Sequence, residues 1–147
     1  MKIVSSAFEN NAKIPAKYTC DGENINPPLS FFDVPRDAKS LVLIMDDPDA
    51  PSKTWVHWVV YNIDPKTKEI LENSVPKGAV LGITDFGKPG YGGPCPPSGV
   101  HRYFFKLYAL DSLLDLPQES TKTQIGEVMQ GHIIDKTQLI GLYGESD

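Results

Sequence analysis

Proline interrupts the first two thirds of this chain so often that little of it can be helical. There are 13 prolines among 147 residues, well above the usual share of ~5%. Most fall in short clusters, at Pro27-Pro28, at Pro48 and Pro51, and at Pro94, Pro96 and Pro97. Because proline lacks a backbone donor and clashes with the preceding helical turn, helices are hard to place before residue 118. The sequence therefore predicts a fold built mainly from strands.

Runs of aliphatic, β-branched and aromatic residues between those clusters predict the strands. The plainest runs are residues 41–45, 55–63 and 100–110, and weaker candidates are residues 1–8 and 139–143. Residues 41–45 are continuously apolar, which is typical of a strand buried on both faces. The irregular spacing of turns, with long proline-rich loops, favours a Greek-key antiparallel β-sandwich over alternating βα units.

One helix is predicted near the C-terminus. Thr121 and Gln124 have capping-box spacing, and apolar residues follow at helical intervals at Ile125, Val128, Met129 and Ile133. His132 falls on the same stripe, where we expect a packing histidine with a hydrogen-bond partner and not a ligand.

Composition excludes several classes of partner. The net charge of -5 argues against nucleic acid and anionic membranes, because both require clustered Lys and Arg. No segment approaches the ~20 apolar residues of a membrane span, and the first six residues turn polar before a signal-peptide core could form. We therefore expect one cytoplasmic domain, residues 1–147, without nucleic-acid binding or stable membrane association.

The two cysteines, Cys20 and Cys95, are too few for a disulfide scaffold. Neither lies in a Cys-x-x-Cys pair, which argues against structural zinc. The preferred interpretation is two reduced, partly buried thiols. A single Cys20–Cys95 bridge is the alternative.

Two proline-stiffened turns each precede a strand that carries one histidine. The first turn bears Asp47 and leads to His57, and the second follows Gly92-Gly93 and leads to His101. If the two strands are neighbours, the imidazoles converge beside a carboxylate, and the charge of such a site is tunable near neutral pH. The site would suit a small anion, which protonated histidines would hold more weakly as pH rises.

Strand parity predicts which side chains share that site. His101 shares a face with Tyr103, and His57 with Trp55, Val59 and Tyr61. Arg102 points to the opposite face, where we expect it to pair with an acidic side chain.

Other groups of the two turns have predicted supporting roles. Backbone N–H groups of Gly92-Gly93 would add an anion nest. Asp47 would orient a histidine and raise its pKa, whereas Asp46 and Asp49 would cap the turn or face solvent. A cis peptide is predicted within this turn, at Ala50–Pro51.

The same residues admit other interpretations. The histidines could simply satisfy buried hydrogen bonds, or form a 2-His-1-carboxylate metal site with Asp47. They could also serve a hydrolase as general acid and base. Neither nearby serine, Ser52 or Ser98, has the flanking motif of an activated nucleophile. We predict no catalytic residue, no metal and no cofactor.

Together these segments resemble the two signature regions of the phosphatidylethanolamine-binding protein family, also called Raf kinase inhibitor-like proteins. The resemblance rests on the Asp-Pro-Asp-Ala-Pro turn with His57-Trp58, and on Gly93-Pro94 followed by His101-Arg102-Tyr103. It covers nearly the whole chain and is greatest to the short prokaryotic YbhB/YbcL-like branch. It implies one large and one small antiparallel sheet and a shallow pocket for phosphate, acetate or phosphoryl head groups. By position, the ligand-binding residues would be Asp47, His57, Gly93, Pro94, His101 and Tyr103.

We therefore expect a non-enzymatic binding or regulatory protein with a small-anion pocket. The resemblance also implies an alternative, inhibition of serine proteases or other partner proteins through the loop at residues 84–99, and a homodimer as one form of assembly. Eukaryotic relatives carry a longer stretch with a pocket tyrosine where this chain has only Ser52-Lys53-Thr54. Kinase regulation and phospholipid binding are accordingly not expected to transfer.

Overall fold

Strands dominate the computed structural model, which describes residues 1–145. The last two residues of the predicted domain, Ser146 and Asp147, lie outside the described part. The elements in chain order are β1 Lys2–Val4, β2 Ala12–Lys13, a turn of 3-10 helix Ala16–Tyr18, β3 Leu29–Phe32, β4 Ser40–Asp47, β5 Trp55–Ile63, β6 Glu69–Ile70, β7 Val80–Leu81, β8 Val100–Leu110, α1 Lys122–Met129 and β9 Ile133–Gly144.

The strands form two sheets of unequal size. The large sheet has the order β2-β9-β8-β4-β5-β7 and the small one β1-β3-β6. Neighbours pair antiparallel except β2 and β9, which are parallel. The predicted sandwich is confirmed. Strands β5 and β8 have the predicted bounds, whereas β9 begins six residues before its predicted start. The sequence hides this first half because it is mostly exposed and four of its six residues are polar, while pairing with β8 keeps it extended.

Apolar side chains fill two layers. The main core lies between the sheets and includes Phe31, Leu43, Met45, Trp58 and Phe105. A second cluster packs beneath α1 on the outer face of the large sheet and includes Ile44, Val59, Tyr61, Ile125 and Met129. Strand β4 is therefore buried on both faces, as its continuously apolar sequence predicts. No helix of the described chain is long and apolar enough to cross a membrane.

The helix α1 begins at the predicted capping box. The Thr121 hydroxyl accepts from the Gln124 N–H at 3.1 Å, and Gln124 Oε1 accepts from the Thr121 N–H at 2.8 Å. The helix ends at Met129, and Gly131 has a φ of 80°, a left-handed conformation that stops a helix. The predicted packing of His132 on the helix is consequently wrong, because this residue lies beyond the helix and is exposed. Its predicted hydrogen-bond partner is present, since His132 Nδ1 lies 2.7 Å from Asp111 Oδ1.

A disulfide joins Cys20 to Cys95, so the interpretation as reduced thiols is wrong and the alternative holds. The loop after the 3-10 helix and the second proline-rich loop are brought together by main-chain pairing, in which Cys20 N–H donates to the Pro94 carbonyl at 3.1 Å. Because 75 residues separate the two cysteines, no local sequence pattern indicates that these two loops are in contact.

The turn between β4 and β5 contains no cis peptide, since every peptide bond among residues 1–145 is trans. The prediction at Ala50–Pro51 is therefore wrong. The chain reverses by other means. Asp47 Oδ1 accepts from the Asp49 N–H at 2.8 Å, a local side-chain turn, and Ser52 adopts a φ of 69°.

Candidate functional site

A β-bulge in β5 aims His57 at the site. Met45 pairs with Trp58 and Asp46 with Val56, so His57 is the extra residue between them. Strict alternation would have placed it with Val59, beneath α1. The bulge instead brings its ring 5.2 Å from that of Tyr103, on the other face. The predicted parity of His57 is thus wrong for Val59 and Tyr61 and right for Trp55, which lines the same pocket as His57.

The buried ring of His57 is held by the second proline-rich loop. Its Nδ1 lies 2.7 Å from the Gly92 carbonyl oxygen, and the Gly92 N–H donates to the His57 carbonyl at 3.0 Å. Because a carbonyl can only accept, Nδ1 carries a proton. Nε2 lies on the other side of the ring and has no hydrogen-bond partner among the described residues.

His101 is held in the same manner by a carboxylate. Its Nδ1 donates to Asp47 Oδ2 at 2.7 Å, and both residues are buried. The other oxygen of Asp47 accepts the turn N–H of Asp49, so the carboxylate is itself fixed. The Tyr103 ring stacks on His101 with centroids 6.4 Å apart. The predicted orienting role of Asp47 is confirmed in the geometry.

These side chains line a pocket of about 310 Å³ at one end of the large sheet. Its polar members are Asp47, His57, His101 and Tyr103, so the structure brings together four of the six predicted residues. Their binding role stays a prediction. The sequence reasoning missed the apolar walls, which are Ala50, Pro51, Trp55, Phe86, Cys95, Pro96 and Pro97. All of these except Phe86 lie in or beside the two histidine-bearing segments, so their position in the sequence could have indicated that they line the pocket. Phe86 belongs to a long loop outside those segments, and nothing in the sequence indicates its contact with the pocket.

Gly93 and Pro94 do not line the pocket. The Gly93 N–H donates to Asn24 Oδ1 at 2.8 Å, and the Gly92 N–H is already used by His57. The predicted anion nest is therefore wrong, because neither N–H is free for a ligand. Gly93 is buried against main chain where a Cβ has no room, so it shapes the loop.

The neighbouring acidic residues point away from the pocket. Asp46 alternates with Asp47 along β4 and is buried on the outer face, where it accepts from Lys106 at 3.0 Å and Lys122 at 2.7 Å. The prediction that it caps a turn or faces solvent is wrong. Asp49 binds Arg102 through two side-chain bonds of 2.9 Å, which lower the pKa of Asp49 to about 2. The predicted acidic partner of Arg102 is confirmed.

The electrostatics of His57 differ from the sequence-based expectation of a protonated imidazole. Burial lowers the pKa of His57 below its ordinary value, because a low-dielectric environment disfavours the charged imidazolium. His57 is then uncharged at neutral pH and accepts through Nε2. Burial also raises the pKa of Tyr103, which keeps its phenol protonated. Among residues 1–145, no group of three or more His, Cys, Asp or Glu is arranged to hold a metal ion.

We predict that His57 makes the fold sensitive to acid. Since its folded-state pKa lies below about 6.5, the unfolded chain binds the proton more readily. The stabilisation by neutral His57 is complete above about pH 6.5 and is lost as pH falls towards the folded-state pKa, at no more than about 1.4 kcal/mol per pH unit. Urea unfolding between pH 4 and 7 should show this slope in the wild type and a shallower one in His57→Gln. Identical slopes in the two proteins would refute the assignment.

Comparison with known proteins agrees with this architecture. The profile of the phosphatidylethanolamine-binding protein family matches residues 4–144. The chain belongs to that family. A UPF0098 protein of Methanothermobacter thermautotrophicus is 55% identical over 148 residues, which cover 97% of this chain and 98% of that protein.

Two crystal structures have the same fold. A phosphatidylethanolamine-binding protein homologue, CT736 of Chlamydia trachomatis, superposes with a TM-score of 0.94 at 46% identity and covers 98% of this chain and 97% of its own. Escherichia coli YbcL, described as a member of the mammalian family, gives 0.92 at 28% identity and covers 99% and 98%. The family resemblance seen in the sequence is thereby confirmed, including its prokaryotic branch.

Proposed function

We propose that this protein is a non-enzymatic binding or regulatory protein whose pocket holds a small anion, a phosphate or phosphoryl group. One observation carries the proposal. The Nδ1 atoms of His57 and His101 are bound to a carbonyl and a carboxylate, so both imidazoles present Nε2 to one pocket. Tyr103 lies between the two rings.

The two imidazoles suit complementary atoms of a phosphoryl group. Neutral His57 accepts a hydrogen bond at Nε2, which matches a P–O–H. His101, when protonated, donates from Nε2 to a phosphoryl oxygen, and the Asp47 carboxylate balances its charge. A group that offers both a donor and acceptors is a singly protonated phosphate or phosphate monoester, whose second pKa is about 6.

The walls indicate what the phosphoryl group is attached to. Trp55 and Phe86 meet edge to face at 5.7 Å, and Phe86 also contacts the His57 ring at 5.4 Å. Three prolines complete this apolar lining. Such walls gain free energy by covering apolar surface, about 25 cal/mol per Å², so a phosphate ester with an apolar or aromatic substituent should bind more tightly than inorganic phosphate.

The two alternatives fit the geometry less well. A hydrolase of the serine, threonine or cysteine type needs a hydroxyl or thiol nucleophile, and no serine, threonine or free thiol is among the described residues that line the pocket. A protease inhibitor needs an exposed loop, but the middle of the loop at residues 84–99 is buried at Gly92, Gly93 and Pro94.

The compartment and assembly are part of the same proposal. We infer a cytoplasmic protein that acts on a soluble anion, without nucleic acid, as a monomer or homodimer. The disulfide bears on this choice, because stable intracellular disulfides are typical of hyperthermophiles, whereas other organisms form them in oxidising compartments. A cytoplasmic location therefore requires either a thermophilic source or a disulfide that is reduced and re-formed in the cell.

His101→Ala tests the proposed ligand. We expect calorimetric titration with p-nitrophenyl phosphate to show a loss of about 1.5–3 kcal/mol, the value of a charge-assisted hydrogen bond. The fold should persist, since the side chain ends in a pocket. His132→Ala removes an exposed imidazole between α1 and β9, away from the pocket, and should bind as the wild type does. If His101→Ala and the wild type bind p-nitrophenyl phosphate with equal affinity, the proposed anion site is refuted. Histidine-dependent release of p-nitrophenol would establish a hydrolase instead.

A further inference from the structure

The Cys20–Cys95 disulfide stands between two cavities. Cys95, Pro96 and Pro97 line the histidine pocket, and the same three residues line a second cavity of about 480 Å³ on the other side. Cys20 and Tyr143 belong to the second cavity alone. The segment from Cys95 to Pro97 is thus a wall shared by both.

Few contacts other than the disulfide hold this wall. Two of its three residues are prolines, which have no N–H to donate. Among the described residues, those at 96–99 form no hydrogen bond to the rest of the chain. The preceding Gly93 and Pro94 are anchored to Asn24 and Cys20, and Val100 begins β8. The bond between the sulfurs is consequently the main restraint on the wall.

The disulfide is accessible from solvent. Both Cys20 and Cys95 are exposed, whereas Gly93 and Pro94 beside them are buried. Exposed disulfides are the ones that react with thiols, while buried structural ones resist reduction. A dithiol, free or on a reducing protein, can therefore reach a sulfur without unfolding the sandwich.

We propose that this disulfide is a redox-controlled wall of the anion pocket. A thiolate of the dithiol attacks one sulfur, breaks the Cys20–Cys95 bond and forms a mixed disulfide with the protein. The second thiol of the reductant then attacks the reductant sulfur of that mixed disulfide and releases the second protein thiol. Two electrons and two protons pass to the protein, which gains two thiols while the reductant becomes a disulfide. The wall is released, the two cavities join, and the pocket loses its fit to the anion. The effect on affinity rests on the proposed function, whereas the release of the wall does not.

The test compares oxidised protein with protein reduced by dithiothreitol, using p-nitrophenyl phosphate in calorimetry and amide NMR order parameters without ligand. We expect the Kd to rise at least tenfold on reduction and to recover on reoxidation. By reciprocity, saturating p-nitrophenyl phosphate should lower the reduction potential of the disulfide by about 30 mV, the equivalent of tenfold for two electrons. The order parameters of Ser98 and Gly99 should fall on reduction to below about 0.6, the range of flexible backbone, with those of Met45 and Phe105 unchanged.

Each other outcome decides against one proposal. An unchanged Kd, or unchanged order parameters at Ser98 and Gly99, overturns the redox-controlled wall. Lower order parameters in the core as well mean global unfolding, and overturn it too. If the oxidised protein binds no p-nitrophenyl phosphate, the proposed function fails. In that case the order parameters of Ser98 and Gly99 alone decide whether reduction releases the wall.

Discussion

Replacing Cys20 and Cys95 together by serine should lower the free energy of unfolding by about 4 kcal/mol. The bridge closes a loop of 75 residues, and on the chain-entropy account a loop of that length restricts the unfolded state by roughly this amount at 25 °C. Because a domain of this size is stabilised by only about 5–15 kcal/mol, the expected loss is a large part of the total. Urea unfolding of the oxidised wild type and of the double variant measures it.

The wild type provides its own control. After reduction with dithiothreitol it should unfold at the urea concentration of the double variant, while reductant should not shift the variant itself. Oxidised wild type and variant with equal free energies of unfolding would show that the bridge contributes nothing to stability.

Gly93→Ala should cost about 3 kcal/mol, near the upper end for overpacking a closely packed site. A Cβ at Gly93 would lie 2.5 Å from Asn24 Oδ1, 3.0 Å from Thr19 Cα and closer still to the main-chain oxygen of Tyr18. Backbone on that side cannot move without disturbing the neighbouring disulfide loop. Thermal and urea unfolding should both show the loss, accompanied by weaker binding of p-nitrophenyl phosphate, since Gly92 next to it positions His57.

Gly126→Ala is the matched control. Gly126 lies within α1, and a Cβ there would meet nothing within 4 Å. Alanine should therefore stabilise the helix by up to about 1 kcal/mol, with no effect on ligand binding. The same substitution thus has opposite signs at the two sites. A Gly93→Ala protein as stable as the wild type would mean that the loop around Tyr18 can open freely.

Much of the architecture could be predicted because it depends on local patterns. The continuously apolar residues 41–45 indicate a strand buried on both faces, and Thr121 with Gln124 forms the capping box that starts α1. Proline clusters mark the loops because proline cannot join a regular ladder or helix. Asp47, His57, His101 and Tyr103 could be assigned to one site from two local motifs.

The remaining features depend on contacts between distant segments or on shifts of register. Nothing in the residues of β5 marks the bulge that turns His57, since a bulge is a relation between two strands. The sequence favours Gly93 as an anion-binding donor, but its N–H donates to the side chain of Asn24, which is 69 residues away. The sequence favours Asp46 as a turn residue, but it is buried and forms ion pairs with one lysine of β8 and one of α1.

The ends of the large sheet affect how the protein behaves at high concentration. Its outermost strands, β2 and β7, have two residues each, whereas the four strands inside them have eight to twelve. Long unpaired edges act as templates on which other chains add strands and form aggregates, and charged side chains on an edge oppose that addition. Because β2 pairs only with Gly141 and Leu142, residues 133–139 of β9 have no strand beside them on that side in the described chain. Asp135 and Lys136 lie in this stretch, and their charges protect a strand-rich, aromatic-rich chain against fibril growth.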